Sequence, residues 1–428
     1  MRERAEIFSY VGLDVTRDSL VGHYELDGRP FTEVVTFQDV GHLTTASVTS
    51  VAQLWYLLAG LSYYKAGAAR RVDFAATPVG PRARSLVRAA LLDGLGEFSV
   101  RNDLDLSDVV FEGGATSERS TPVLDVHQVL TAFGGGIDSV VTVNELSHHI
   151  DQTLFVVSPL SGHFTPLEET ARVTGLRIAR ATRSIDPQML DNDGDDFNGH
   201  VPVTAMITLL AVTAAISSGR GGVVMSNEHS ASSPNLAWRG RDVNHQWSKS
   251  WIAEGLIADA VSEAVGDDFV VASFLRERSE LWVAEVFSRL TQYHHVFRSC
   301  NRAFAQLRDQ RATNWCGECD KCLFINLILA PFLSRDDLRA IFHAEPLSDP
   351  ARADQLRTLV GLGTTHKPFE CVGDPDESAV ALAKVSAMRE WSDVTHLAEI
   401  AELVRPERDF DELLTAQGPS RVPAHWLR

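Results

Sequence analysis

The chain has 428 residues, 44% of them apolar and 22% charged, with a formal net charge of −18 at pH 7. This is a normal globular balance, and the length suits two or three domains. The acidity disfavours a role gripping a nucleic-acid backbone, which calls for a basic footprint.

The opening residues run straight into polar, strand-like sequence with no secretory pattern, so a cytoplasmic protein is expected. "LVGHYELDG" and "FTEVVTFQD" alternate apolar and polar side chains and predict strands. "SVTSVAQLWYLLAGLSYYKAG" places Val51, Leu54, Leu57, Leu58 and Leu61 at helical spacing, with Gly67 as the stop. "ARSLVRAALLDGLGEFSVRN" predicts a further helix ending at glycine. Residues 1–124 are thus expected to be a small α+β domain.

From residue 125 strands alternate with helices. "HQVLTAF", "QTLFVVSP", "LRIARATR" and "GGVVMSNE" predict strands, while "DSVVTVNELSHHI" and "PLEETARVTG" predict helices. Such alternation implies βαβ units and a mainly parallel sheet. Ligands then bind beyond the carboxyl ends of the strands, where Gly134–Gly136, Ser158 and Ser226–Glu228 fall. The apolar run Val201–Ile216 is shorter than the ~20 residues of a membrane span and carries three threonines, so it predicts a buried helix. Residues 246–340 read as mostly helical, and the tail as a Gly/Pro-rich loop leading into helices. The expected division is 1–124, 125–345 and 346–428.

Two local patterns carry chemistry. "GGGIDS" (134–139) joins a strand to a helix through three glycines. Glycine lets the backbone approach a ligand, and the helix N-terminus offers unpaired N–H groups and a positive dipole end, so the junction suits a phosphate. A plain strand-to-helix turn capped by Asp138 is the alternative. Second, Cys300, Cys316, Cys319 and Cys322 offer four soft ligands, with C-x₂-C-x₂-C spacing and a turn at Gly317. That pattern suits a closed structural zinc site, and an iron–sulfur cluster uses the same ligands. Lys321 and Arg302 are expected to offset the thiolate charge.

The stretch Gly135–Ser139 resembles the S-G-G-x-D-S loop of the N-type ATP pyrophosphatases, with Gly134 in place of the first serine. The resemblance implies a PP-loop (HUP-like) core that splits ATP between its α and β phosphates. It also implies that Gly135, Gly136 and Ser139 hold pyrophosphate, and that Asp138 orients the loop or binds Mg²⁺. The loop combined with the cysteine spacing is similar to the queuosine-pathway cyano-deazaguanine synthases, which are shorter. A wider set resembles the MurL-type epimerases of peptidoglycan precursor synthesis. It comprises "LSYYKAG", "LDGLGEF", "FNGHVPVTA", "VVMSNEHSAS", "DVNHQWSKSW", "SCNRAF", "WCGECDKCLF", "LAPFL" and "HKPFECVG". That family inverts the terminal L-glutamate of UDP-N-acetylmuramoyl-L-alanyl-L-glutamate using ATP and Mg²⁺. Adenylation removes the carboxylate charge that opposes loss of the α-proton, so no further organic cofactor is required.

The remaining candidates follow from position. Cys371, beside Glu370 and His366, is a candidate α-proton carrier by analogy with cofactor-free racemases, or else a buried structural thiol. Glu228, His229, His245 and Lys249 cluster with Asn227, Asn244 and Gln246 near a strand end, beside Ser226. Arg239, Arg241, Lys249 and Lys65 are candidates for the UDP diphosphate. Asn198 and His200 are expected either to cap the helix after Pro202 or to face ATP. An amidating or thiolating ligase and a non-catalytic nucleotide-binding zinc protein are the alternatives, although no glutaminase Cys-His signature is present.

Overall fold

The computed structural model describes residues 2–146, 150–159, 165–190, 194, 196–304, 315–363 and 366–427. The alternation in the first 38 residues folds into an antiparallel meander of β1 (Ile7–Val15), β2 (Ser19–Leu26) and β3 (Arg29–Gln38). Alternate side chains are buried along β2 and β3, as in a sheet with one covered face. The cover includes the helix Ala46–Ala59, to whose carbonyls Tyr10 and Tyr24 donate hydrogen bonds at Leu57 and Tyr56. The predicted helix ending at Gly67 breaks at Gly60, and Leu61–Gly67 forms a second short helix.

The meander does not stand apart. Two short strands, β4 (Arg71–Asp73) and β5 (Val110–Glu112), extend it on the outer side. On the inner side β3 pairs antiparallel with β8 (Ile178–Ser184). β8 is one of the four strands read from sequence as βαβ units, and beyond it lie the other three with one more. They are β6 (Asp125–Ala132), β7 (Asp151–Pro159), β9 (Arg220–Met225) and β12 (Val270–Ser273). Strands β12, β9, β6, β7 and β8 are mutually parallel, and the ten-stranded sheet runs β12-β9-β6-β7-β8-β3-β2-β1-β4-β5. A separate hairpin pairs β10 (Leu236–Trp238) with β11 (Arg241–Val243). The division expected at residue 124 therefore falls inside one continuous sheet. The strand β12 stands where the sequence read as helical.

The parallel half is covered on both faces, as parallel sheets are. Leu130, Phe155 and Val223 join one core with the helices Val203–Ser217 and Trp251–Val265. Their chain neighbours face the opposite way. Leu154 and Val156 pack with the helices Ile137–Leu146, Glu280–Ser288, Asp320–Leu329 and Pro375–Ser386, while Val129 and Val224 meet Trp426. The helix Val203–Ser217 is buried almost all round, as expected. Among the described residues no helix is long and apolar enough to cross a membrane.

Candidate active site

The glycine junction lies at the carboxyl end of β6. Gly135 has φ +74°, a left-handed conformation that glycine adopts without strain, and its carbonyl accepts a hydrogen bond from the Arg298 N–H at 3.2 Å. Gly134 is exposed with open space where a side chain would stand. The helix starts at Ile137, and the Ser139 hydroxyl donates to the Gly136 carbonyl at 3.0 Å. Asp138 does not use its side chain as a simple cap: its Oδ1 is buried without a hydrogen-bond partner.

Asp138 belongs to a buried group of charges drawn from distant segments. Glu228, after β9, and Glu280, at the start of the helix Glu280–Ser288, are each 2% exposed, and Glu377 is fully buried. Glu280 Oε2 and Glu377 Oε1 also lack partners. Burial, then Glu228, pushes Asp138 up to about 6. Burial and Glu228 likewise raise Glu280 well above the carboxylate range, and burial with Asp374 raises Glu377 to about 8. Such crowding leaves carboxyl oxygens short of positive partners, which is the setting of a cation or of a substrate's cationic group.

Arg276, just past β12, organises this floor. Its guanidinium pairs with buried Glu254 at 2.8 Å and donates to the Glu228 carbonyl at 2.9 Å and the Lys249 carbonyl at 2.6 Å. Replacing one partner of a buried pair strands the other charge. Arg276→Met is expected to cost about 3–5 kcal/mol in stability, read as a lowered denaturation midpoint, whereas Arg421→Met, which lies 3.9 Å from the same carboxylate and is better exposed, is expected to cost about 1 kcal/mol or less.

Cys371 closes the site from the C-terminal region. Burial alone would raise its thiol, but Lys249, a hydrogen bond with His245, and Lys321 outweigh burial and bring it down to about 6. His245 moves the other way: burial opposes its charge, yet its bonds to Cys371 and Glu97 lift it to about 9. A thiolate–imidazolium pair therefore persists between those values. Lys249 is held charged against burial by Cys371, Glu228 and Asp138. The two strips of chain are stitched together: Asn235 accepts from the His245 N–H at 2.7 Å and donates to the carbonyls of Lys367 and Pro368. Gln246 donates to the Val372 carbonyl at 3.0 Å and accepts from Lys249 Nζ at 3.1 Å. A cleft of about 510 Å³, lined by Arg101, Asp320, Phe369 and Glu370 among others, lies at the residues flanking Cys371.

The four cysteines of the cluster come together as expected. Their sulfurs lie within 4.8 Å of one another, with Cys319 to Cys322 at 3.4 Å and Cys316 to Cys322 at 3.6 Å. A tetrahedral ion with about 2.3 Å metal–sulfur bonds has sulfurs roughly 3.8 Å apart. Cys316 Sγ also accepts the N–H groups of Glu318 and Cys319, as a thiolate in a metal turn does. Hydrogen bonding to Cys300, then burial, pushes the Cys319 thiol up to about 12 against the lowering effect of its bonds to Cys322, a cost that a central cation reverses.

Several expected residues are placed elsewhere. Arg239 pairs with Asp103 and Arg241 with Asp93. Lys65 donates to Asn198 Oδ1 at 2.9 Å and the Gly199 carbonyl at 3.1 Å. Asn198 does not cap the following helix, whose N-cap is Pro202, with no side-chain cap. His200 lies beside His245, ring centroids 4.3 Å apart, and burial lowers it to about 4. His229 faces Gly418, and His366 bonds its neighbour's carbonyl at Lys367. Ser226 Oγ is buried without a partner, and Asn227 donates to Ser273. Arg302 pairs with Glu318, while Lys321 acts on Asp138 and Cys371 rather than on the thiol cluster alone. Sequence reasoning missed Glu97, Glu280, Lys321 in that role, Glu377 and Lys367. The Lys367 ammonium is buried with no hydrogen-bond partner. Glu97, Lys321 and Lys367 stood inside motifs that marked their neighbourhood, in "LDGLGEF", "WCGECDKCLF" and "HKPFECVG".

Two family models match the chain: the MurL N-terminal domain over residues 1–274 and the MurL C-terminal domain over residues 296–413. Among similar curated proteins is one from Micromonospora sp., 37% identical over 446 aligned positions, covering 100% of this chain and 98% of the relative. Another, from Salinispora tropica, is 37% identical over 99% of this chain and 95% of its own. One from Xanthomonas oryzae pv. oryzae is 34% identical over 96% and 90% respectively. All three are named UDP-N-acetyl-alpha-D-muramoyl-L-alanyl-L-glutamate epimerase. No solved structure matches the fold. With both family models and near full-length relatives in agreement, the chain belongs to the MurL epimerase family.

Proposed function

We propose that the protein inverts the terminal L-glutamate of UDP-N-acetylmuramoyl-L-alanyl-L-glutamate in the cytoplasm, by way of an acyl-adenylate and with release of AMP and diphosphate. The observation that carries this reading is that the glycine loop's Asp138 lies within electrostatic reach of Cys371, itself bonded to His245, since adenylation and proton transfer must act on adjacent atoms. The family names of the relatives support the substrate class.

In this reading Gly134, Gly135, Gly136 and Ser139 hold the ATP phosphates at the helix N-terminus, with Ser226 and Asn227 alongside. The unpartnered oxygens of Asp138 and Glu280 fit a hard divalent cation. Asp138, Glu228 and Glu280 would hold Mg²⁺, which supplies charge neutralisation for the phosphates. The substrate carboxylate oxygen displaces diphosphate from the α-phosphorus and becomes a mixed anhydride, losing the charge that opposes a carbanion. The Cys371 thiolate takes the α-proton, and Lys249, held protonated, returns one to the opposite face. Water then cleaves the anhydride to AMP and the D-product. The four cysteines would hold a structural Zn²⁺.

The deciding assay incubates the protein with ATP, Mg²⁺ and the L,L-substrate in heavy water. AMP, diphosphate and one deuterium at the glutamate α-carbon are expected in step. AMP accumulating with the α-carbon unlabelled, or nitrogen or sulfur entering the product, overturns the proposal.

A further inference from the structure

The helix Pro81–Ala89 continues through a π-helical turn, Ala90–Gly94, before Gly96–Asn102. A side chain at Gly94 would stand 2.9 Å from Trp247, so glycine there lets the 241–249 segment pack against the turn. That approach brings Glu97, only 5% exposed, to His245. One Glu97 oxygen bonds His245 Nδ1, and the other is held by Arg101 Nε at 2.5 Å. Both oxygens are committed, so the carboxylate is fixed in orientation.

We propose that Glu97 is a positioning residue which orients and charges His245 for Cys371, so that the first quarter of the chain completes the proton-transfer site. An Nδ1–H donated to Glu97 leaves Nε2 for the thiolate, the arrangement by which a carboxylate fixes the working nitrogen of an imidazole. The groups facing this pair are Arg101, His200, Lys65, Lys249 and Glu370, besides Cys371. His200 is kept neutral by burial and the nearby cations, so it adds no second positive charge. Arg101 also lies over the Phe369 ring, 5.4 Å from its centroid, at the wall of the cleft. The proposal rests on the reading of Cys371 as proton carrier, but its first test does not.

Without substrate, the ultraviolet thiolate absorbance of Cys371 is titrated in the full-length chain, using Cys371→Ser as the blank. Removing the carboxylate weakens the imidazolium, and a weaker imidazolium weakens the thiolate. Glu97→Gln is therefore expected to raise the thiolate midpoint from about 6. In activity, the alkaline limb of kcat/KM should fall by about one pH unit from about 9, with kcat down about 10²-fold and KM within about threefold. Glu97→Asp should recover part of the rate. A rate loss with midpoint and limbs unmoved, in a variant of unchanged melting temperature, makes Glu97 merely structural and overturns the proposal. Glu97, His200 and His245 also present ligand atoms within 4.8 Å. Elemental analysis showing a second bound metal lost in Glu97→Gln, with the cysteine-cluster metal retained, likewise overturns it. If Cys371→Ser still exchanges the α-proton while Glu97→Gln shifts the midpoint, the proton-carrier reading fails and the Glu97–His245 coupling stands.

Discussion

Cys371→Ala is expected to lower α-proton exchange about 10³-fold while leaving ATP–diphosphate exchange within about threefold of the parent. In the proposed mechanism the two half-reactions use different groups. Adenylation would draw on the glycine loop and the acids around Asp138, and none of these atoms is lost in the variant. Proton abstraction would draw on the Cys371 thiolate, which Lys249, His245 and Lys321 favour below the usual thiol range. Alanine removes the acceptor and leaves His245 bound to Glu97. Isotope exchange between labelled diphosphate and ATP, run beside tritium washout from the substrate, separates the two steps. Equal loss of both shows that Cys371 serves binding or folding. Full retention of proton exchange shows that another group abstracts the proton.

Cys322→Ser is expected to lower the melting temperature by about 8 °C or more, and a strong chelator should do the same to the parent protein while adding nothing to the variant. Cys322 is wholly buried on the helix Asp320–Leu329, within a core of Phe297, Phe324, Ile328 and Phe342. Losing a structural metal belongs to the mechanisms that cost about 4 kcal/mol or more, at roughly 2 °C per kcal/mol for a long chain. The neighbouring residue gives the change a second readout. Lys321 lies one position before Cys322 and favours the ionised forms of Asp138 and Cys371. Chelation should therefore raise the Cys371 thiolate midpoint before the chain melts. Calorimetry with and without chelator, together with metal content, checks the first half. A melting point indifferent to both treatments removes the structural ion from the account.

What was legible in the sequence was local. Four parallel strands announced themselves as short apolar runs ending in small or polar residues, and the glycine loop and the cysteine spacing each fit inside two turns of chain. Strand β12 escaped because "VVAS" offers only four residues between helical stretches, and a run that short fits either period. The helix after Pro81 is expected to end at glycine; the chain instead passes through a π turn at Ala90–Gly94 and resumes as the helix Gly96–Asn102. The acidic floor was not legible for a different reason. Successive members of the set Asp138, Glu228, Glu280 and Glu377 are separated by 52 to 97 positions and share no spacing, so only the packing of three strand ends and a C-terminal helix assembles them. Glu97 sat in plain view as an ordinary helical glutamate. Its partner is 148 residues away, and no single-sequence pattern carries that information.

The pairing of β3 with β8 has a consequence for how the molecule is made. Val34 and Ser184 are register partners, so on the ribosome the inner edge of the meander waits 184 − 34 = 150 residues for its mate. At about 5–20 residues per second that is on the order of 8–30 s with a row of open backbone donors and acceptors facing solvent. An isolated fragment ending near residue 124 inherits that unsatisfied edge permanently, and so it would be a sticky object rather than a miniature of its place in the whole.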